Sequence, residues 1–403
     1  MGNTFKTLSD GDIVRRALAI FHNESKFLKT INKQYDSRFA VEGAKNGGTL
    51  LIRDPNQYTV TTGATMTAQD VAETTQTLTV ATQKHVGMNF TSVERTMSVD
   101  DFEERYLKPA MSRLAADVEY TCLAAMYKDV FNLSGTPATT PASLAAVLNA
   151  GAKLSQGLAP MSNRSILFDS VAMAATVNGI GTYFHKASEI EKGFSDGVLG
   201  RAGGFDFYES NMVPSHTNGS RDDTTPVSDT STWANGDTTI TTTGADGTMT
   251  VGDVFTVAGV YAVNPETKQA YSHLQQFVIR TAKTNDATDV WDVAPTIYIS
   301  GAKQNVSVTS AGSSAIVNVA AGGSGAASTA YTQNLAYHRD AFTFVSADLF
   351  KSNVDQMSSA VLDNVSMRLW KGSDIVNDKH PVRLDVLFGY KTIRPEWACR
   401  VRG

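Results

Sequence analysis

The chain has 403 residues, more than one simple core accommodates, and this points to two or three domains. With 42% hydrophobic and 19% charged residues it is composed like an ordinary globular protein, neither disordered nor membrane-embedded. A formal charge of −5 argues against a dedicated nucleic-acid binder, which would carry a basic stripe. No apolar run nears the roughly 18 residues of a membrane span. The start, Met1-Gly2-Asn3-Thr4-Phe5-Lys6, has no apolar signal region, so secretion is not expected. Cys122 and Cys399 lie far apart without a partner pattern and are expected as free thiols.

In chain order, Leu8 to Phe39 is predicted helical and amphipathic, with Ser9 and Asp12 at capping-box spacing. Such an arm is expected to pack on a neighbour. From Thr49 to Thr91 the period becomes two: Thr49–Arg53, Tyr58–Val60, Thr77–Ala81 and Val86–Phe90 read as strands. This Thr-rich hairpin buries too little to stand alone and needs a partner surface. A long helix is predicted from Pro109 to Val130, with Ser98 and Asp101 at a second capping spacing. Its apolar face reads Tyr106, Ala110, Leu114, Val118, Cys122 and Met126. Mixed α/β material follows: a helix over Ala145–Leu154, a strand over Ser165–Phe168, and a helix over Ser170–Val177 capped by Asp169.

Composition breaks near residue 220. Between Asp222 and Ala336 stand ten acids and four bases, a net of −6, while the remainder, with 31 bases and 30 acids, is +1. Strands are predicted at Thr238–Thr241, Val254–Val257, Gln276–Ile279, Thr296–Ile299 and Ala315–Val319, with turn residues between them. That spacing reads as a small barrel or sandwich. Ala320–Ser328 is a flexible loop by composition. Strands then return at Ala341–Val345, Val365–Trp370 and Arg383–Phe388, so the β unit is an insertion within α/β material.

Catalytic patterns are weak. The seven histidines show no metal-ligand spacing, and no phosphate-cradling P-loop is present. Gly200-Arg201-Ala202-Gly203-Gly204 reads as a tight turn, and Gly322-Gly323-Ser324-Gly325 lacks the helix that a nucleophile elbow requires. Glu103-Glu104 and Asp222-Asp223 read as surface charges. Arg15-Arg16 and Arg400-Val401-Arg402 are too small for a nucleic-acid stripe and read as solvated or interface charges.

Four stretches carry a family resemblance. Met88-Asn89-Phe90-Thr91 leads into Ser98 through Ala110, similar to an extended E-loop followed by a spine helix. Gly197 through Asp206 is similar to the approach to an inserted domain, and Gly252 through Val260 to a strand pair inside it. Arg383 through Gly389-Tyr390-Lys391-Thr392-Ile393-Arg394-Pro395-Glu396 is like the closing strands of the core. In this order they resemble the major coat proteins of short-tailed, lambdoid-type phages, which share the capsid fold of tailed phages and herpesviruses. One departure is Gly219 to Asn235, shorter than the loop by which well-known members reach a neighbouring capsomer.

The resemblance implies an α+β capsid fold with an inserted β-barrel. Its modules would be an N-terminal arm (1–48), an E-loop (49–91), a P-domain with the spine helix (92–133), a first A-domain part (134–219), the inserted I-domain (220–336) and a return with closing strands (337–403). It further implies pentamers and hexamers in an icosahedral head, assembled in the host bacterial cytoplasm with scaffolding and portal proteins. The shell would enclose double-stranded DNA without specific binding, and no enzyme activity, cofactor, metal or membrane contact is implied. Asp10, Asp12, Arg15 and Arg16 are the candidates for scaffold or neighbour contact, and Arg221, Asp222, Asp223 and Asp229 for an inter-capsomer loop. Three readings compete: a tail-tube or decoration protein, an encapsulin-like container without the inserted barrel, and an enzyme or carbohydrate-binding β protein with a polar pocket.

Overall fold

The computed structural model describes residues 10–36, 49–91, 103–180, 200–220, 227–318, 330–350 and 356–403, apart from positions 59, 65, 67, 69–72, 137–138, 245–246, 285–287, 310–311, 375 and 378. The chain forms two compact units. One gathers Met1–Arg53, Thr75–Cys122 and Phe342–Lys391; the other gathers Asp54–Thr74, Leu123–Ala341 and Thr392–Gly403.

In the first unit, helix α1 (Asp10–Glu24) places Val14, Ala17, Leu18 and Phe21 on one face at helical spacing, and all four are buried. That face packs on strands β22 (Gln356–Leu362) and β23 (Val365–Lys371) of the same chain. The arm helix is therefore covered by its own subunit, which corrects the expectation of a neighbour. A closing hairpin some 340 residues downstream supplies the apolar surface that local sequence lacks. After a single turn, α2 (Phe27–Thr30), the predicted helix ends early. Asn32–Asp36 forms strand β1 instead, parallel to β21 (Phe342–Ala347). Lys33 and Asp363 form an ion pair, and the Asn364 side chain donates to the Lys33 carbonyl at 3.1 Å. These contacts hold β1 against the tight turn between β22 and β23.

Strands β2 (Thr49–Arg53) and β3 (Thr75–Thr79) form the expected hairpin, with Leu50 opposite Leu78. Leu50 and Ile52 pack on Leu78, Val80, Val345 and Ala347, while the alternate residue Leu51 points outward. The hairpin thus finds a partner surface on β21 of its own chain, and of the strand expected at Tyr58–Val60, Tyr58 and Val60 lie outside any strand while residue 59 is outside the described residues. Strand β4 (Thr82–Thr91) leaves the hairpin and pairs along β24 (Lys379–Thr392) in the central sheet, ordered β1-β21-β24-β23-β22.

The long helix α3 (Lys108–Met126) is ~28 Å long and is preceded by one π-type turn, Glu103–Leu107. Pro109 has no N–H to continue an α ladder, which accounts for the wider turn before it. The buried residues are Leu107, Met111, Leu114, Ala115, Val118, Cys122, Leu123 and Met126, so the predicted stripe holds at Leu114, Val118, Cys122 and Met126, while Ala110 is half-buried and Tyr106 is exposed. Glu119 on this helix is buried and accepts from the Lys26 and Phe27 amides at 2.7 and 3.1 Å, satisfying the N–H groups that begin α2.

At the sheet centre, fully buried Asp385 on β24 accepts from Arg368 Nη2 at 2.8 Å, Arg383 Nε at 2.6 Å and Gln83 Nε2 at 3.1 Å. Removing the charge while keeping the shape (Asp385→Asn) leaves two guanidiniums without their carboxylate. The variant should lose about 3–5 kcal/mol, read as a lowered urea midpoint.

In the second unit, a six-stranded sheet is ordered β5 (Leu133–Ser134), β25 (Ala398–Val401), β20 (Asn334–His338), β6 (Arg164–Phe168), β8 (Phe205–Glu209), β7 (Arg201–Ala202). Helix α4 (Leu144–Gln156) starts where the Ser143 hydroxyl accepts from the Ala146 amide at 3.3 Å, and it lays Val147, Ala150 and Leu154 on this sheet. Helix α5 (Ser170–Ile180), capped by Asp169 at the Ala172 amide, lies in the crossover between the parallel strands β6 and β8.

Between Thr217 and Ala330 the same unit carries an all-β module, framed by strands β9 (Ser215–Thr217) and β19 (Ala330–Thr332), which pair with each other. Six antiparallel strands close on themselves: β10 (Val227–Asp229), β11 (Asp237–Thr243), β16 (Thr288–Ile297), β14 (Ala270–Ile279), β13 (Val254–Val263) and β18 (Ser313–Asn318). A short β17 (Val306–Val308) extends beside β13, and β12 (Thr248–Met249) pairs with β15 (Lys283–Thr284). Closure leaves no long edge open. The interior centres on Trp291, with the Phe255 ring edge-on to it at 5.4 Å and stacked on Phe277 at 5.7 Å. The parent sheet resumes at Asn334, two residues before the boundary drawn from composition.

A buried polar junction as candidate functional site

The barrel meets the parent sheet across both apolar and polar contacts. Phe131 and Leu133, just after the long helix, pack on Val254 and Val278 of the barrel wall. The Gln276 side-chain amide accepts from the Leu133 N–H at 2.8 Å and donates to the Leu133 carbonyl at 3.0 Å, so it extends the strand pairing as a backbone would. At the surface, Arg280 of the barrel forms an ion pair with Asp129.

Deeper in, Asp253 has no exposed surface and gathers three donors. Its Oδ1 lies 2.8 Å from His216 Nε2, and its Oδ2 accepts from the amides of Gly219 at 3.1 Å and Thr250 at 2.8 Å. A carboxylate on Nε2 fixes the proton there, so His216 Nδ1 accepts from the Tyr127 hydroxyl at 3.0 Å. The approach at Gly219 requires glycine: a Cβ there would stand 2.0 Å from the Thr248 carbonyl oxygen. Gly252, with φ +103°, turns its carbonyl toward Arg400, whose Nη1 donates to it at 2.7 Å. The Arg400 guanidinium lies over the Tyr127 ring, and that of Arg402 lies 3.7 Å from the centre of the Tyr331 ring. The Tyr331 hydroxyl donates to the Asn218 side-chain carbonyl.

A Tyr–His–Asp relay of this kind resembles a general-base arrangement. Here all three side chains are at most 3% exposed, so a substrate atom cannot reach them. The relay joins the end of the long helix, the entry strand and the barrel, and the arginine and tyrosine contacts add the exit and closing strands, so that five segments are pinned together. Arg400 and Arg402, read from sequence as solvated or interface charges, are buried. Their signal is alternation with Cys399 and Val401 in an apolar closing strand, which places charges inside only if partners are built for them. His216, Asp253, Tyr127 and Tyr331 have no local signal, because their relation exists only after the barrel docks.

Burial dominates the electrostatics. It pushes Arg400 down to about 10, aided by Arg402 and opposed by Tyr331, Tyr127 and Asp253. Burial lowers His216 more than Asp253 raises it, with Arg400 and Arg402 lowering it further. His273 on the barrel is pushed to about 4 by burial and by Lys153 on α4. The Cys399 thiol rises to about 12, which makes it a poor nucleophile. Both cysteines are free.

The other candidate residues are not brought together. Arg15 and Arg16 are exposed on α1 with Asp12 half-buried there, and α1 begins at Asp10, whose side chain lies outside the described residues. Arg221, Asp222 and Asp223 lie outside the described residues as well. Asp229 is exposed at the end of β10 and accepts from the Ser231 amide at 3.0 Å and hydroxyl at 2.6 Å, bonds that hold a short turn and lower its pKa. Its visible role is that of a turn cap.

His216 and His273 titrate below their ordinary value when folded, so the unfolded chain takes up protons first as pH falls. Their stabilisation is complete above about pH 6.5 and is lost as pH drops through the folded values, for His273 near 4. Unfolding followed by tryptophan fluorescence, with Trp233 and Trp291 in the barrel core, should therefore show acid lability. His216→Gln, which keeps a donor and an acceptor but cannot titrate, should flatten part of that profile. An unchanged profile would remove His216 from the account.

The family model described as P22 coat protein, gene protein 5, matches residues 51–401. Among solved structures, a chain of Mycobacterium phage Che8 is 12% identical, with 93% of this chain and 90% of that one covered and a TM-score of 0.44. The capsid structure of the cyanophage P-SCSP1u gives 11% identity, 93% and 87% coverage and a TM-score of 0.43. The satellite phage P4 procapsid including size determination (Sid) protein gives 8%, 98% and 92%, and 0.38. No curated protein sequence matches the chain. With its mixed α+β units and a family match over most of its length, the chain belongs to the P22 coat protein family and is a major capsid protein of a phage head.

Proposed function

We propose that this coat protein closes an icosahedral procapsid from rings of five and six copies, in the host bacterial cytoplasm, around a scaffolding protein and on a portal, and that the shell matures around double-stranded DNA. The module names follow: an arm at 1–48, an E-loop at 49–91, a P-domain at 92–133, an A-domain at 134–219 with its return at 337–403, and an I-domain at 220–336. The protein acts by association and not by catalysis. The observation that carries the reading is apolar surface left in water on one loop: Leu51 is 65% exposed, Val60 94% and Met66 86%. Aliphatic side chains so placed gain free energy when a neighbouring copy covers them, and heterologous contacts of this kind generate closed rings.

Asp10, Asp12, Arg15 and Arg16 are the proposed scaffold contacts, and Arg221, Asp222, Asp223 and Asp229 the proposed capsomer-bridging loop. The near-neutral charge outside the inserted module suits a container that does not grip its contents.

Expression of the chain with its phage's scaffolding protein, followed by electron microscopy of the high-speed pellet, should show closed shells. Val60→Asp with Met66→Asp should leave a folded subunit by circular dichroism but cut the shell yield at least about tenfold, the loss expected from burying two charges in an apolar contact. Charge reversal at Asp10 and Asp12 should reduce scaffold incorporation; unchanged incorporation assigns the scaffold contact elsewhere. A chain that stays monomeric with scaffold present would overturn the assembly reading.

A further inference from the structure

Three connections meet at one end of the second unit's parent sheet. They are the loop from α4 to β6, the turn Arg339–Ala341 after β20, and the turn Pro395–Trp397 before β25. The Trp397 indole N–H donates to the Gly157 carbonyl at 2.8 Å, and the Arg339 amide donates to the Asn163 carbonyl at 3.1 Å. These bonds hold the connections as one platform. Helix α4 ends in a Schellman motif: the Ala159 amide donates to the Leu154 carbonyl and the Leu158 amide to that of Ser155, both at 3.0 Å. The left-handed position of that motif ordinarily takes glycine, yet here it holds Leu158, at φ +60°. A leucine so placed is strained, and at 41% exposure it gains little burial in return within the subunit. Met161, three residues on in the same loop, is 69% exposed. The Arg394 guanidinium lies over the Trp397 ring at 4.3 Å. Neither Arg394 nor exposed Arg339 forms an ion pair among the described residues, and the neighbouring acid, Asp340, lies beside His338.

We propose that this apolar and basic platform is a contact between copies of the chain, and that it seats the outer face of β16 on a neighbour's inserted barrel, at Val290 and Asp292. The inference rests on the assembly reading above and deepens it. Charge complementarity selects the occupant. The inserted segment is net −6, and most of its bases are committed. Arg280 pairs with Asp129, Lys283 lies 3.9 Å from Asp289, and Lys268 donates to the Ala302 carbonyl at 2.6 Å. Along β16 the side chains alternate: Trp291 and Val293 belong to the barrel core, so Val290 and Asp292 face outward. Val290 is 45% exposed, and the Asp292 carboxylate has no hydrogen bond or ion pair among the described residues. An aliphatic beside an unpaired acid thus meets aliphatics beside unpaired bases. The two surfaces are different parts of one chain, so the contact is heterologous and repeats from copy to copy. Because the platform is already held by its own hydrogen bonds, little ordering opposes the contact.

Leu158→Gly separates the contact from folding. It relieves the strain, so the thermal unfolding midpoint of the free subunit should not fall. Shell yield should nevertheless drop about tenfold, the loss of one covered leucine at each contact. Arg394→Glu should cut the yield likewise, and Asp292→Arg in the same chain should restore it, because the exchanged charges still meet across copies. Met161→Cys with Val290→Cys, oxidised in assembled shells, should give a ladder of linked subunits on a non-reducing gel. The native thiols, Cys122 and Cys399, are buried and do not contribute. An unchanged shell yield for Leu158→Gly overturns the contact. So does a double charge variant no better than its singles, or shells that release only monomers after oxidation. A wild-type chain that forms no shells under the same conditions sinks the assembly reading and this contact with it. Wild-type shells without ladder or rescue overturn the contact alone.

Discussion

A carboxylate buried without water must be brought its donors, and the second unit is arranged around bringing them to Asp253. One donor is a backbone amide in the barrel, one an amide where the chain enters it, and one a histidine on the entry strand. Withdrawing any one of them leaves the buried carboxylate at the base of the barrel short of a hydrogen bond. This constraint gives the neighbouring glycines their roles. Gly219 lets the entry strand come close enough to donate, and Gly252 turns a carbonyl toward Arg400. The apolar contacts of Phe131 and Leu133 with Val254 and Val278 contribute burial to the docking, while the polar contacts fix one orientation.

The first unit repeats the device with other residues. Asp385 sits at the middle of its sheet and takes hydrogen bonds from two arginines and a glutamine on β23, β24 and β4. Buried ion pairs are poor sources of net stability compared with apolar packing, but breaking one is expensive. That asymmetry penalises alternative registers more than it rewards the native one. For a protein that must present the same surfaces in many copies of one shell, a penalty on misregistered sheets is the more useful of the two.

Much of this was legible in the chain. The switch from helical to alternating period at Thr49, the acid-rich segment after Asp222 and the strands around Val254, Gln276 and Ala315 all have local causes, and all appear in the structure. Failures occur where a distant partner decides. Asn32–Asp36 continues a helical pattern in sequence but becomes a strand, because β21, roughly 310 residues later, offers an open edge. The arm helix finds its cover on β22 and β23, equally remote. Arg400 and Arg402 look like tail charges until the closing strand is seen to run inside the sheet. The junction was illegible for the same reason: its six polar side chains come from five segments, and no window of sequence holds more than two of them.

The chain enters and leaves the barrel through β9 and β19, with Thr217 opposite Ala330 and Ser215 opposite Thr332. Opposed residues in such a ladder are about 5 Å apart, so the parent sheet is interrupted at what is, in space, a single point. A genetic insertion at that point leaves the host fold's other strands where they were, and a deletion could be repaired by a short turn. The barrel is thus held to its host at one covalent crossing point, and Asp253, His216 and the two arginines turn that tether into a fixed orientation.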